Sequence, residues 1–189
     1  MIIGGLDIET TGLENTEHRI IEIYLGLWDL RSKSLIREFE TRIDPQRSIL
    51  ADASRIHHIF AGDLVGKPLF KDVAAQIVHF LSSADLLVGH NGEDFDLPFI
   101  NTELKHTGFL PITTPIFDTM KQGRHATFDG KLPNLGELCL AYDVPYDTSS
   151  AHAASYDVGV MMECFFRGLD WGYFKLEEKT LEHEDSAAA

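Results

Sequence analysis

Apolar runs separated by polar turns divide the chain into strands first and alternating helices and strands afterwards. MIIGGLDIE is apolar almost throughout and predicts a short buried strand. RIIEIYLGLWDL combines alternation with β-branched residues and predicts a second. SLIREFETRI continues the alternation after a turn near Ser32 and Lys33, until Pro45 ends it, so a three-strand meander is expected. Short helical pieces are expected from Ala51 to Gly66. LFKDVAAQIVHFLSS then sets Phe70, Val73, Ile77, Val78, Phe80 and Leu81 on one helical stripe. ADLLVGHN predicts another buried strand and TPIFDT a short final one. Further helices are expected from Phe95 to His106, with Pro98 tolerated in the first turn. Another runs over LPNLGELCLAYDV with Asn134 as its cap, and the last long helix over SSAHAASYDVGVMMECFFRGL. This order predicts the α/β class, a mixed β-sheet with helices packed on its faces.

Length adds that 189 residues suit one domain, placed at residues 1–170, with an acidic C-terminal tail at 171–189 that includes KLEEKTLEHEDSAAA. No apolar run reaches the roughly 18 to 20 residues that span a bilayer. MIIGG has no basic region before its apolar residues, so the chain is expected to be cytoplasmic and not secreted. Cys139 and Cys164 both fall in helix-like apolar patterns, as buried thiols of a reducing compartment do. Charge complicates the picture. Thirty acids against 16 Lys and Arg give a net charge of −14, opposite to the basic face by which a protein usually holds nucleic acid.

Three places carry candidate chemistry. In GLDIETTGL, alternation along a strand sends Asp7 and Glu9 to one side and Ile8 to the other. Two carboxylates about 4 Å apart repel by ~4 kcal/mol at an effective dielectric of 20, so a divalent cation is the simplest thing to lie between them. Two solvated acids at a strand end is the plainer alternative. In VGHNGEDFDLPFI, Asn91 and Asp96 stand at a second strand-to-helix junction beside Glu93 and Asp94; Asp96 is preferred because Phe95, Leu97, Phe99 and Ile100 surround it. In AHAASYDVGVMMECFF, His152 and Asp157 are five apart, about 140° on a regular helix, so they do not share a face. The reading that fits places Asp157 on the helix and His152 just before it, free to take a proton.

Taken together, the order of these segments resembles the DnaQ-like 3′–5′ exonucleases, the DEDDh branch of the DEDD superfamily, over roughly residues 2–168. DIETTGL matches the first motif in full. Asn91, Phe95 and Asp96 match the second, and His152, Ala154 and Asp157 match the third, H-x-A-x-x-D. The tyrosine branch would need Tyr where Ala153 stands. HRIIEI, SRIHHI, FDTM and LPNLGELC are similar to the family's connecting segments. One spacing departs from the bacterial proofreading subunits. HNGEDFD has five residues between histidine and aspartate, as in three-prime repair exonucleases and the proofreading domains of family B polymerases, which places the chain away from a close proofreading-subunit match.

The resemblance implies a ribonuclease H-like fold and hydrolysis from the 3′ end of nucleic acid, releasing nucleoside 5′-monophosphates. It implies two divalent cations, Mg2+ or Mn2+, with Asp7, Glu9 and Asp157 holding one. Asp7 and Asp96, the latter partly through water, place the second. Oxygen ligands suit these ions. His152 is implied as general base, imidazole being the side chain that exchanges protons near neutral pH. Thr10, Thr11, Gly12 and Leu13 are implied to meet the terminal nucleotide, with Asn91 and Phe95 lining the same pocket and His57, or its neighbour His58, beside it. Lys121, Arg124, His125 and Lys131 form the one local basic set, and Arg124 is taken to touch the substrate backbone. The expected partners are nucleic acid 3′ ends, DNA ahead of RNA, and a polymerase or other replication or repair protein. The expected substrate is a single-stranded or frayed end. An RNA-trimming enzyme and an inactive nucleic-acid-binding adaptor are the competing readings.

Overall fold

The computed structural model describes residues 1–176. Strands β1 (Ile2–Thr10), β2 (Ile20–Asp29) and β3 (Leu35–Arg42) form the antiparallel meander. β4 (Leu86–Gly89) and β5 (Ile116–Asp118) add in parallel on the other side of β1, giving the order β3-β2-β1-β4-β5. The helices are α1 (Ala51–His57), α2 (Phe70–Leu81), α3 (Asp96–His106), α4 (Thr119–Gln122), α5 (Leu135–Ala141) and α6 (Ala154–Asp170). β3 is the meander's outer edge. Its charged residues Arg37, Glu38, Glu40 and Arg42 discourage further strand pairing there.

Alternation along β1 distributes the chain between two cores. Leu6 and Ile8 join Ile77 and Phe80 of α2 and Phe99 and Leu104 of α3 on one face. Ile3 joins Leu138 and Cys139 of α5 and Val158, Met162 and Phe165 of α6 on the other. Asp7 and Glu9 follow Ile3 in parity, so they point to the α5–α6 side. Gly5 lies between them and Ile3. A Cβ there would stand 2.8 Å from the Trp28 ring and 2.9 Å from Val158, so the missing side chain is what lets α6 settle on β1.

Most helix boundaries follow the pattern, and Asn134 caps α5 as expected. Its Oδ1 accepts the Glu137 N–H at 2.8 Å while Glu137 Oε2 accepts the Asn134 N–H at 2.9 Å, a reciprocal capping box. The last helix differs: it starts at Ala154, and the turns before it include His152 at φ +65°. The reason is local. Asp157 Oδ2 accepts the His152 N–H at 2.9 Å, which bends the chain back over the helix start. The two cysteines lie side by side as free, buried thiols, Sγ to Sγ 3.6 Å. Of the segment read as a tail, 171–176 is described and Phe174 is buried against Phe117 and Gly168; the acidic run from 177 onward lies outside the described residues. Among the described residues, no helix is long and apolar enough to cross a membrane.

Candidate active site

The four acids of the three motifs meet at the carboxyl end of β1. The ladder from β1 to β4 ends at the pair Gly5 and Val88, so the strand beyond has no backbone partner on that side. Asp96, the first residue of α3, takes its place: Oδ1 accepts the Ile8 N–H at 3.1 Å, within a strand flanked by Asp7 and Glu9. Of the second motif's acids, this is the one turned into the fold. Asp96 is 3% exposed, whereas Glu93 and Asp94 are exposed and both bind Lys121 Nζ, at 2.9 and 2.8 Å. Asp157 arrives on the first turns of α6, and its Oδ1 is buried with no hydrogen-bond partner.

Electrostatics tie the group together. Burial, then the charges of Asp96, Glu9 and Asp157, push the Asp7 carboxyl well above the usual range. Burial, then Glu22, Asp157 and Asp96, raise Glu9 to about 9. Burial also raises Asp96 against the hydrogen bond from Ile8, and Asp157 against the one from His152. Among the described residues, no three His, Cys, Asp or Glu side chains already have the spacing of a closed metal cage. Two of these carboxylates are turned toward backbone donors, and the like charges repel. Even so, the donor set fits a hard divalent cation: four carboxylates whose pKa values are all raised by burial, one with an orphaned buried oxygen. Asp7, Glu9, Asp96 and Asp157 are the residues that would hold it.

Asp7, Asp157 and His152 also line a cleft of about 1100 Å³, walled by Asn134 to Glu137, Leu140 and Val144 to Tyr146. His152 is exposed there, its backbone N–H held by Asp157.

The first-motif loop is built by internal bonds. Thr10 Oγ1 donates to the Gly12 carbonyl at 2.6 Å. The fully buried Thr11 hydroxyl bonds His18 Nδ1 at 3.0 Å and accepts the Arg19 N–H at 3.1 Å, so this side chain holds the loop and does not face the cleft. A Cβ on Gly12 would run into the His18 ring, which gives that glycine a packing reason. Leu13, 77% exposed, is presented at the tip. His57 is buried: Nδ1 accepts the Ile59 N–H at 3.1 Å, leaving Nε2–H to donate to the Thr10 carbonyl at 3.2 Å. It therefore clamps α1 to the loop, and burial lowers its pKa. Phe95 is half-buried on Phe99, with ring centroids 4.9 Å apart. Asn91 sits at φ +68° in the turn before α3. In the basic set, Arg124 Nη1 donates to the Gly130 carbonyl at 2.9 Å and Lys131 pairs with Glu137 at 2.6 Å, so these cations are already engaged.

Three positions were absent from the sequence reading of the site. Glu22, cross-strand from Glu9, is buried and held by Arg42 Nε at 2.9 Å. A single acid inside the apolar run RIIEIYL was its only signal. Buried Asp118 accepts the N–H groups of Asn91 and Glu93, both at 3.2 Å, and those of Met120 and Lys121 at 3.0 and 3.1 Å. It thereby fixes the turn that delivers Asp96. His90 bridges Thr119 and the Pro133 carbonyl at the cleft wall, with a pKa lowered by burial.

A mixed five-stranded sheet with acids gathered at the end of its central strand defines a nuclease of the ribonuclease H-like fold. Residues 5–165 match the family model described as Exonuclease (RNase_T). The DNA polymerase III subunit epsilon of Treponema pallidum is 36% identical over 166 residues, 85% of this chain and 73% of that one. The epsilon subunit of Rickettsia conorii is 35% identical over 184 residues, 93% and 77% of the two chains. The chain belongs to the DnaQ-like 3′–5′ exonuclease family, and it is a 3′–5′ exonuclease. These relatives correct the inference drawn from the second-motif spacing. The segment between His90 and Asp96 is a surface turn, and Asp96 is anchored to Ile8, so the length of that turn does not decide which relatives the whole chain follows. Escherichia coli exonuclease I bound to a dT13 oligonucleotide has the same fold, with TM-score 0.79 at 16% identity over 96% of this chain. The chain spans 45% of that structure's length.

Proposed function

We propose that the chain removes nucleoside 5′-monophosphates from 3′ ends of single-stranded or frayed DNA with two divalent cations, Mg2+ or Mn2+, and that it works beside a polymerase or another replication or repair protein in the cytoplasm or on the nucleoid. The observation that carries this is the gathering of buried acids around Asp7, where the charges of Asp96, Glu9 and Asp157 act on the Asp7 carboxyl and Asp7 and Asp157 line an open cleft. When bound, the cations supply Lewis-acid activation of water and neutralise charge on the departing 3′ oxygen. The chain's own residues do the rest. Asp7 and Asp157 orient the phosphodiester's surroundings from β1 and α6, and His152, at the cleft mouth, takes the proton of the attacking water. Leu13 offers an apolar surface to the terminal base, with Asn91 and Phe95 on the neighbouring turn. Thr10, Thr11, Gly12 and His57 keep that surface in place through the bonds described above. The names of the polymerase subunits and of the oligonucleotide-bound structure favour DNA and a polymerase partner.

The test is a time course on matched DNA and RNA oligonucleotides labelled at the 5′ end, in Mg2+ and in Mn2+. A ladder shortening from the 3′ end, faster on DNA, is expected. Preferential shortening of RNA would reassign the substrate, and no shortening of either would leave the adaptor reading.

A further inference from the structure

We propose that Phe128 is a stacking platform for a base of the substrate strand upstream of the terminal nucleotide. This rests on the proposed function above. Phe128 is fully solvent-exposed on the turn between the 3-10 turn Arg124–Ala126 and α5. Single exposed apolar side chains are ordinary. Here, however, the turn is braced from within. Thr127 Oγ1 donates to the Lys131 carbonyl at 2.8 Å, Arg124 reaches the Gly130 carbonyl at 2.9 Å, and Gly130 adopts φ +70°. The ring is therefore held out in water by a stiff support. It borders a hollow of about 520 Å³ shared with Leu140, itself 81% exposed. Leu140 and Glu137 also wall the cleft that contains Asp7, His152 and Asp157, so the hollow adjoins that cleft across these two side chains.

Direction and charge choose the occupant. In the proposed reading, the terminal nucleotide occupies the side of Asp7 formed by Leu13 and α1. The remaining strand then leaves along the α5 side, where the hollow adjoins the cleft. Although the chain carries −14 overall, Arg124 in the same turn is exposed and bonds a neutral carbonyl, so its charge is available to a phosphate. Lys131 also neutralises the rim acid Glu137. A phenyl ring without hydrogen-bonding groups stacks on any base, as a nuclease that digests without regard to sequence requires.

The experiment compares wild type, Phe128→Ala and Phe128→Trp on oligothymidylates and on the p-nitrophenyl ester of thymidine 5′-monophosphate, which has no upstream base. Phe128→Ala should raise KM about tenfold on oligonucleotides, equivalent to ~1.4 kcal/mol, and leave kcat and the ester unchanged. Phe128→Trp should restore KM. An abasic residue moved through the strand should raise the wild-type KM at one position and leave Phe128→Ala indifferent there. An unchanged oligonucleotide KM overturns the proposal. So does an equal rise on the ester, or a loss of self-association on sedimentation with unchanged KM, which would make this face a contact between copies. Wild-type protein that shortens no 3′ end removes the proposed function itself, and this inference with it.

Discussion

Gly5→Ala tests whether the site's geometry is set by the seat of α6 on β1. The added Cβ would stand 2.8 Å from Trp28 Cζ3, 2.9 Å from Val158 Cγ1 and 3.1 Å from Met162 Cγ. Ordinary contact begins near 3.4 Å, so Val158 has to retreat by about 0.5 Å. Neither a buried indole nor a buried β-branched side chain yields freely, and overpacking of this kind costs roughly 1–3 kcal/mol. For a chain of this size each 1 kcal/mol lowers Tm by about 2–4 °C, so a fall of about 2–12 °C is expected by calorimetry. The consequence for function follows from adjacency. Val158 is the residue after Asp157, so a displaced α6 carries that carboxylate away from Asp7. Since a 1 Å misplacement can cost ~100-fold, kcat at a temperature well below Tm should drop about tenfold. An unchanged Tm would refute the close packing. A lowered Tm with unchanged kcat would refute the claim that this contact sets the position of Asp157.

Gly159→Ala is the contrasting change: a Cβ there meets nothing within 4 Å, on an exposed face of α6, so stability should rise by about 0.5–1 kcal/mol with unaltered kcat in parallel melts and assays. Asp7→Asn should lower kcat by about 100-fold or more. It should also raise the metal-free Tm, because a buried carboxyl of raised pKa costs stability at any pH above the ordinary carboxylate range and an amide carries no such cost; a lowered metal-free Tm would contradict that. The pH dependence has a definite sign. With Glu9 raised to about 9 and the other three acids raised as well, the metal-free native state holds protons that the unfolded chain has lost above its ordinary carboxylate pKa. Metal-free stability therefore falls as pH rises from the ordinary carboxylate range toward 9. A cation displaces those protons, so the Tm increment given by millimolar Mg2+ should grow over the same interval. Melts with EDTA or Mg2+ across that interval check both, and an increment that shrinks with pH would be fatal to the metal site.

Strand parity alone puts Asp7 and Glu9 on one side of β1 and Ile8 in the opposite core, because alternation is a property of the backbone. The capping box of α5 and the apolar stripe of α2 were equally readable, being made from residues three or four apart. Asp96 could be preferred over Asp94 from its apolar neighbours, but its reason, an unpaired Ile8 N–H 88 positions away, comes from where the β1–β4 ladder stops. Asp118, Glu22 with Arg42, and the enclosure of Thr11 and His57 were not readable, since each depends on hydrogen bonds between segments distant in the chain. The late start of α6 likewise came from Asp157 bonding back to His152. The sequence by itself determined which residue types carry the chemistry and which way they face within each element. Only the tertiary structure decided how near they come, because that distance is set by packing between elements, as where Val158 meets the bare backbone of Gly5.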